Sequence, residues 1–315
     1  MDRIGLICRY IKEEPRSTQR DLAQKTGFSV GTVNTLIKEA MQQRLIAQGK
    51  SVAGTYELTG AGDAFLEQFR VDGALIIAAG FGSRFVPLTF ETPKGLLEVF
   101  GERMIERQIK QLHEVGITDI TIAVGYLKEK FEYLIDKYQV KLLYNPEYAT
   151  KNTLTTIYRA RQVLAGKNMY ILSSDNWLRN NMFHAYECGA WYASSYMEGD
   201  TSEWCLSYNK KGRITHVEVG GHDSWVMYGP VFFSRTFSEQ FLPLLERYYH
   251  TPGTEQFYWE NVLIEHLDEL EMDINRQPEN QIYEFENLEE LRQFDPRYQN
   301  HSDNTALELV SRVFE

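Results

Sequence analysis

Residues 74–97 read ALIIAAGFGSRFVPLTFETPKGLL and contain the strongest structural signal of the chain. Their first part is a continuous apolar run, typical of a strand buried in a parallel sheet. Gly80 and Gly82 follow directly, and glycines at such a turn let backbone N–H groups approach phosphate oxygens closely. Arg84 and Lys94 add two cations beside the turn. The stretch therefore predicts a phosphate-binding loop after a strand.

The loop differs from two common phosphate-binding motifs. It is not a P-loop, because no Gly-Lys-Ser/Thr ends it, and Phe85 stands where a dinucleotide fingerprint has its third glycine. The pattern G-x-G-x-R-x-x-P-x-T, with Pro-Lys downstream, instead resembles the signature of nucleoside-triphosphate transferases. This resemblance implies that the nucleotide contacts Ala79, Gly80, Gly82, Ser83, Arg84 and Lys94.

Short apolar runs alternate with helical segments throughout residues 72–300. DITIAVG, VKLLYN and NMYILSSD are predicted strands, and MIERQIKQLHEVG, KEKFEYLIDKY and TLTTIYRARQVL are predicted helices. This alternation indicates an α/β domain with a mostly parallel, doubly wound, Rossmann-like sheet. Ligands of such sheets bind beyond the carboxyl ends of the strands, so the polar residues that follow each strand are the informative ones.

Residues 1–70 have a different pattern. A helix is predicted from Ile4 to Ile11, Ser17 or Thr18 caps a second helix, and Ser29 caps a third that extends towards Ile46. Two short strand-like runs around a Gly/Lys/Ser loop follow. The segment resembles the winged helix-turn-helix domains of bacterial regulators, so we expect a small winged-helix domain before the α/β domain.

The third helix would be the recognition helix of such a domain. Val30, Val33, Ile37 and Met41 are expected along its inner face. The outer face would either read base edges in DNA, remain solvated or dock on protein. The residues predicted to contact DNA are Thr32, Asn34, Thr35 and Lys38.

Composition restricts the classes of protein that remain. The 315 residues carry a net charge of −11, with +2 on residues 1–70 and −13 on the remainder, so the acidic part is a poor match for nucleic acid. The longest apolar stretch is far too short to span a membrane, and the N-terminus lacks a signal-peptide core. Three cysteines without paired spacing indicate neither a disulfide framework nor a zinc site. We expect a cytoplasmic protein of about two domains with no membrane partner.

Several segments in one order narrow the family. GSRFVPLT, TPKGLLEV, GYLKEKFEYL, LLYNPEY and IYEFENLEEL resemble segments of the bacterial CTP:phosphocholine cytidylyltransferases, and the similarity runs from about residue 73 to about residue 294. The resemblance implies a Mg²⁺-dependent enzyme that makes CDP-choline and pyrophosphate from CTP and phosphocholine. Arg84, Lys94 and Asp175 would be its catalytic residues.

The resemblance also implies a set of metal ligands. Asp175 follows a predicted strand, and Glu284 and Glu286 are two residues apart, so both point to one face of an extended segment. Mg²⁺ and triphosphate favour such hard oxygen ligands. The chain departs from its relatives at Ser173, which replaces the first acid of an Asp-x-Asp, and at Glu286, where relatives can carry aspartate. The alternative is that the two glutamates are only solvated.

An aromatic and acidic cluster is the predicted site for the acceptor's head group. A quaternary ammonium donates no hydrogen bond and is held by aromatic faces with an acid nearby. Aromatic residues are otherwise mostly core. The resemblance assigns this role to Trp204, Tyr258, Trp259 and Glu260, with Tyr228 as a further lining residue and Glu203 as a second acid.

Three more residues are predicted on the nucleotide side. Asn152 matches a family asparagine expected to contact substrate or nucleotide. Gly125 and Tyr126 follow a predicted strand where the cytosine would be read. The seven histidines show no metal spacing.

Other functions remain open from the sequence. The acceptor of an enzyme of this kind would alternatively be 2-aminoethylphosphonate or phosphoethanolamine. The chain would otherwise be a transcription regulator that senses CTP or CDP-choline. Residues 301–315 resemble the opening helix of a choline-kinase-type domain, which would make a fused or partner kinase part of the system, or else they form a helix that packs on its own domain.

Overall fold

The computed structural model describes residues 1–49 and 53–298. The chain divides into two compact units, and the first consists of Met1–Val71 together with His184–Ala190. The second comprises Asp72–Phe183 and the described residues from Trp191 to Tyr298. The tail helix predicted for residues 301–315 lies outside the described residues. No helix in the described ranges is both long and apolar enough to cross a membrane.

The first unit has the three helices and the short hairpin predicted for a winged helix. Thr18 and Asp21 form a reciprocal capping box at the start of the second helix. The Ser29 hydroxyl accepts from the backbone N–H of Thr32 at 3.1 Å, which confirms the predicted cap of the third helix. The elements are α1 (Arg3–Glu13), α2 (Gln19–Thr26), α3 (Val30–Gln42), β1 (Ile46–Gln48), β2 (Tyr56–Leu58) and α4 (Gly60–Leu66).

The inner face of α3 is rotated from the predicted one. Val30 and Met41 are 49% and 37% exposed, so their placement on the inner face is wrong. A helix buries residues at spacings of three and four. The buried stripe of α3 includes Leu36 and Ala40, so Val30 and Met41 lie at its edge. The helix also ends at Gln42, before the predicted Ile46, because that residue starts β1. The buried stripe is Val33, Leu36, Ile37 and Ala40.

A segment distant in sequence completes the first unit. The backbone N–H of Val71 donates to the carbonyl of Ala185 at 2.9 Å, and that of Glu187 donates to the carbonyl of Phe69 at 2.9 Å. The guanidinium of Arg9 lies 2.8 Å from a carboxylate oxygen of Glu187, and both side chains are buried. A domain boundary drawn at residue 70 leaves this segment in the other domain.

The second unit contains a seven-stranded, mostly parallel sheet, which confirms the predicted fold class. The strands are β3 (Gly73–Ala78), β6 (Ile120–Val124), β7 (Lys141–Tyr144), β8 (Met169–Ser173), β10 (Trp191–Tyr208), β11 (Ile214–Phe233) and β12 (Asp273–Arg276). The strand order is β12-β10-β11-β8-β3-β6-β7, in which β11 runs antiparallel to both neighbours.

Two small two-stranded sheets flank the main one. β4 (Glu98–Val99) pairs with β5 (Glu102–Arg103), and β9 (Asn176–Leu178) pairs with β13 (Ile282–Glu284). The helices are α5 (Met104–Glu114), α6 (Tyr133–Tyr138), α7 (Thr153–Arg159), α8 (Arg161–Leu164), α9 (Arg235–Tyr249), α10 (Trp259–Glu265) and α11 (Leu288–Phe294).

The predicted alternation of strands and helices agrees with these bounds, with two local differences. The segment KEKFEYLIDKY opens as a 3₁₀ turn, Lys128–Phe131, before α6 begins. The segment TLTTIYRARQVL is divided into α7 and α8 at Ala160. The parallel strands β3, β6, β7 and β8 end at one edge of the sheet, and the candidate site lies there.

Candidate active site

The loop after β3 requires glycine at position 82. Gly82 has a φ of +62°, and a Cβ there would lie 3.0 Å from Cγ2 of Thr89 and 3.1 Å from Cβ of Lys94. The Thr89 hydroxyl donates to the carbonyl of Gly82 at 2.9 Å and holds this turn. Phe85, in the place of a third glycine, is buried, and the Lys94 ammonium lies 4.8 Å from the centre of its ring. The loop thus brings Lys94 beside the glycines.

A cleft of about 260 Å³ opens over this loop. Both predicted cations border it, and they pair with two of the predicted metal ligands. The Lys94 ammonium lies 2.6 Å from a carboxylate oxygen of Asp175, and Arg84 forms an ion pair with Glu286. The cleft is lined by residues 77–80, 82–85, 93–95, Thr153 and 173–175.

The pairing of β9 with β13 brings a second carboxylate to Asp175. Asn176 stands opposite Glu284 in the ladder, and its side-chain amide donates to Oε2 of Glu284 at 3.0 Å. Burial, together with the negative charge of Asp175, raises the pKa of Glu284 to about 7, while Lys94 acts in the opposite direction. The two carboxylates therefore interact electrostatically across the turn between β8 and β9.

The hydroxyl of Tyr228, predicted to line the acceptor pocket, contacts the backbone of Glu284. This hydroxyl accepts from the backbone N–H of Glu284 at 2.9 Å and donates to the carbonyl of the same residue at 3.2 Å. Burial raises the pKa of Tyr228. These two hydrogen bonds hold the backbone of β13 at Glu284.

The predicted aromatic residues divide into two groups. Trp204 and Tyr258 are partly exposed and meet edge to face, with ring centres 5.8 Å apart and planes at 88°. Trp259 is only 3% exposed and stacks on Tyr192 at 5.9 Å, with Phe233 also against it at 5.2 Å. The structure therefore brings Trp204 and Tyr258 together and packs Trp259 into the core.

Glu260 lies next to this core with one oxygen engaged. The hydroxyl of Tyr192 donates to its Oε1 at 3.1 Å, and its Oε2 is buried with no hydrogen-bond partner among the described residues. Burial raises the pKa of Glu260 to about 7. A buried acid with a free oxygen is suited to a cationic or hydrogen-donating ligand. The partner Tyr192 was not anticipated, since an aromatic residue in a strand is ordinarily core.

The side chain of Asn152 forms hydrogen bonds with two backbone groups of the protein. Its Oδ1 accepts from the backbone N–H of Thr153 at 2.8 Å as the cap of α7, and its Nδ2 donates to the carbonyl of Gln256 at 3.3 Å. Thr153, the next residue, borders the cleft. The structure thus places Asn152 as a link between the start of α7 and the segment before α10.

Gly125 and Tyr126 lie directly beside the phosphate-binding loop. The backbone N–H of Tyr126 donates to the carbonyl of Ala79 at 3.1 Å, and a Cβ on Gly125 would lie 2.6 Å from that oxygen. Phe81 packs on Tyr126 and Tyr148, with ring centres 5.2 and 5.3 Å away. Neither Phe81 nor Tyr148 was named from the sequence, although Phe81 stands between the two loop glycines.

The four residues predicted to contact DNA lie on α3 and differ in exposure and in their hydrogen bonds. Thr35 and Lys38 are exposed. The Thr32 hydroxyl is 2.9 Å from that of Ser29, and the Asn34 amide donates to Oε1 of Gln19 at 3.2 Å. Thr35 and Lys38 are therefore the most accessible of the predicted set.

Comparison with known proteins agrees with both units. The nucleotidyl transferase family matches residues 73–194, and the winged helix-turn-helix DNA-binding family matches residues 2–47. The fold and the cleft define a nucleotidyltransferase with an N-terminal winged helix.

Relatives that match about 70% of the chain identify the family more closely. The chain is 34% identical over 229 residues to choline-phosphate cytidylyltransferase of Streptococcus pneumoniae, covering 73% of this chain and 99% of that protein. It is 35% identical over 227 residues to 2-aminoethylphosphonate cytidylyltransferase of Lancefieldella rimae, covering 71% and 92%. The solved structure of CTP:phosphocholine cytidylyltransferase from S. pneumoniae superposes with a TM-score of 0.69 at 35% identity, over 72% of this chain and 99% of that one. The chain belongs to this family of cytidylyltransferases.

The family implies a divalent metal ion, and the residues of the cleft fit one. Within the described ranges, no three His, Cys, Asp or Glu side chains are grouped so that they could hold a metal by themselves. Mg²⁺ in nucleotide sites is usually held by one or two carboxylates together with substrate phosphates. Asp175 borders the cleft and raises the pKa of Glu284 through its charge, whereas Glu286 is engaged by Arg84.

Proposed function

We propose that this protein transfers a cytidylyl group from CTP to phosphocholine and releases pyrophosphate. The observation that carries the proposal is the cleft beside the glycine loop, which is bordered by Lys94, Arg84 and Asp175. Lys94 pairs there with Asp175, and Arg84 pairs with Glu286. Cations and acids in one cleft are suited to a polyphosphate and its bound divalent cation. The two cytidylyltransferases at 34% and 35% identity support CTP as the nucleotide.

The reaction needs positioning more than acid–base chemistry. A phosphate oxygen of phosphocholine forms a bond to the α-phosphorus of CTP, and the bond from that phosphorus to the bridging oxygen breaks. Pyrophosphate leaves with the bonding electrons, and no proton moves because the attacking phosphate is already ionised. Lys94 and Arg84 would hold the phosphates, and the backbone N–H groups of the loop would orient them.

Asp175 and Glu284 are the residues that would hold Mg²⁺, with Glu286 as a third ligand if Arg84 turns to the phosphates. The cation, when bound, neutralises charge on the phosphates. Asp175 directly precedes β9, whose first residue, Asn176, pairs with Glu284 of β13, and this supports the assignment. Ser173, at the end of β8, offers only a hydroxyl, so the proposed metal set depends on these two carboxylates.

Trp204, Tyr258 and Glu260 would hold the acceptor's head group. Two aromatic faces at a right angle provide cation–π attraction for a trimethylated ammonium, and Glu260 provides the balancing charge. Phosphocholine is therefore the preferred acceptor of this proposal.

One observation favours a second acceptor, 2-aminoethylphosphonate. The unpartnered Oε2 of Glu260 could accept a hydrogen bond from a primary ammonium, which a trimethylated ammonium cannot donate. A relative at 35% identity bears the name of that acceptor. Phosphoethanolamine shares the primary ammonium and belongs to the same alternative.

The test is pyrophosphate release over a grid of four nucleoside triphosphates and three acceptors. The proposal expects release with CTP and phosphocholine, and at most slow release with the other nucleotides. Release with no combination would favour the alternative in which the transferase unit only senses CTP or CDP-choline.

We propose DNA as a second partner, bound through α3. The match of residues 2–47 to a DNA-binding family and the exposure of Thr35 and Lys38 support it. The kinase partner expected from residues 301–315 stays a prediction, because that segment lies outside the described residues.

A further inference from the structure

Gln108, on α5, is a fully buried polar side chain directly behind the carboxyl end of β8. Its Nε2 donates to the carbonyl of Ser173 at 2.7 Å and to the carbonyl of Asn176 at 2.7 Å. Because both neighbours are carbonyl oxygens, only the NH₂ end of the amide can face them, and both of its hydrogens are used. The two carbonyls lie on either side of Asp175, so Gln108 fixes the turn that carries this carboxylate.

The other end of the same amide is unsatisfied. Oε1 of Gln108 is buried and has no hydrogen-bond partner among the described residues. A buried acceptor without a donor opposes folding, and an apolar side chain of similar length would not carry this penalty. Packing alone therefore does not explain a glutamine here, whereas its two donated hydrogen bonds do.

The neighbours of Gln108 on α5 hold a different part of the same segment. Arg107 donates through Nε to the carbonyl of Leu178 at 2.6 Å, and Gln111 donates to the same carbonyl at 3.2 Å. Both contacts lie at the far end of β9, and only Gln108 of these three reaches the turn at Asp175.

The turn held by Gln108 also reaches Glu284, the second proposed metal ligand. Asn176, whose carbonyl accepts from Gln108, donates through its side chain to Oε2 of Glu284 at 3.0 Å. One buried amide thus holds the backbone on both sides of Asp175 and the residue that contacts Glu284.

We propose that Gln108 is the positioning residue of the metal–nucleotide site, which sets the separation of the Asp175 and Glu284 carboxylates. The inference rests on the proposed role of these two acids. Gln108 touches neither substrate nor metal, and it acts through the β8–β9 turn.

The test replaces Gln108 with methionine, which has similar volume and no donor, and measures Mn²⁺ binding in the presence of CTP by electron paramagnetic resonance. Gln111→Met is the matched control, since it removes a buried amide with an unpaired oxygen from the same helix. We expect Gln108→Met to weaken Mn²⁺ binding about tenfold and Gln111→Met to change it less than twofold. Melting temperatures are expected to fall to a similar extent in both.

Equal Mn²⁺ affinity in the two variants would overturn the positioning role. If Gln108→Met does not fold, Gln108→Asn keeps the amide but is one methylene too short to reach both carbonyls, and the same loss is expected. Measuring Asp175→Asn as well tests the proposed metal site separately from the role of Gln108. Wild-type Mn²⁺ affinity in that variant would contradict the proposed metal site itself and the inference with it, whereas its loss beside an unaffected Gln108→Met would contradict the inference alone.

Discussion

The ammonium of Lys94 lies 2.6 Å from a carboxylate oxygen of Asp175, although the two residues come from different loops at the edge of the sheet. Arg84 and Glu286 form a second pair of the same kind. In each pair, a cation predicted to hold phosphate contacts an acid predicted to hold metal. A nucleotide with its bound cation would exchange these partners, so that the cations face phosphate and the acids face metal.

Asp175→Asn is expected to lower kcat at least tenfold without unfolding the protein. The substitution removes an anionic ligand at the end of a strand, where the side chain is partly accessible and its volume is kept. Pyrophosphate release and circular dichroism measure the two effects. The exposed Asp268→Asn is the control and should retain full activity. More than a tenth of the wild-type kcat in Asp175→Asn would count against the metal role.

The stability of the protein is expected to depend on pH through Glu260. Its pKa of about 7 in the folded state lies above that of an unfolded glutamate, so the folded protein holds this proton more tightly. Burial of the charged form therefore opposes folding increasingly as pH rises from about 4.5 to about 7. Glu260→Gln removes this effect and should raise the melting temperature at pH 8 by on the order of 5 °C, with little change at pH 4.5.

Differential scanning fluorimetry at pH 4.5, 6 and 8 checks this prediction. Glu246→Gln, an exposed substitution on α9, is the matched control and should show no pH-dependent difference. A Glu260→Gln difference that stays constant across the three pH values would refute the titration of Glu260. The same variant should bind phosphocholine more weakly, because the counter-charge is lost.

Much of the site was predictable because of where parallel strands end. Gly82, Lys94 and Asp175 follow strands of one parallel sheet or the loops beside them, and the carboxyl ends of such strands meet at one edge. Their proximity follows from that rule once the alternation of strands and helices is recognised.

Which of the predicted aromatic residues are buried could not be predicted in the same way. Tyr258 and Trp259 are adjacent in sequence, and neighbours at the start of a helix project about 100° apart. The pattern Tyr-Trp-Glu therefore allows either residue to face a ligand, and only the packing of Trp259 on Tyr192 decides which one is buried. Burial in the core is the reason that Trp259 does not stand beside Trp204.

The place of residues 184–190 in the first unit could not be predicted from the sequence either. Glu187 is an acid in a stretch with no special pattern, and its partner Arg9 is 178 positions away. A buried charge needs a counter-charge, but sequence spacing does not reveal which residue supplies it.

Lys38→Ala is expected to weaken binding to promoter DNA and to reduce its dependence on salt slightly. The exposed ammonium on α3 would contact phosphate, and loss of one such contact lowers the salt slope by about one. Fluorescence anisotropy over a salt series measures both effects. Lys210→Ala, an exposed lysine between β10 and β11, is the charge-matched control. Absence of DNA binding by the wild type at low salt would assign the winged helix to protein contact instead.

Trp204→Ala is expected to raise the KM for phosphocholine by about an order of magnitude and to leave the KM for CTP almost unchanged. Each cation–π face contributes roughly 0.5–2 kcal/mol, and the variant removes one of the two faces. Steady-state kinetics with each substrate varied in turn give both values. Trp225→Ala, whose ring packs on Tyr196, is the control and should change neither KM. An equal loss for CTP would show that Trp204 does not belong to the acceptor pocket.

The most direct test of the account is a competition between acceptors for limiting CTP. Phosphocholine and 2-aminoethylphosphonate at equal concentration would be incubated with the protein and Mg²⁺, and the two cytidylylated products quantified by mass spectrometry. The account predicts an excess of CDP-choline, because Trp204 and Tyr258 favour the weakly hydrated trimethylammonium group. Equal amounts, or an excess of the aminoethylphosphonate product, would contradict it and would make the hydrogen bond to Glu260 the dominant contact.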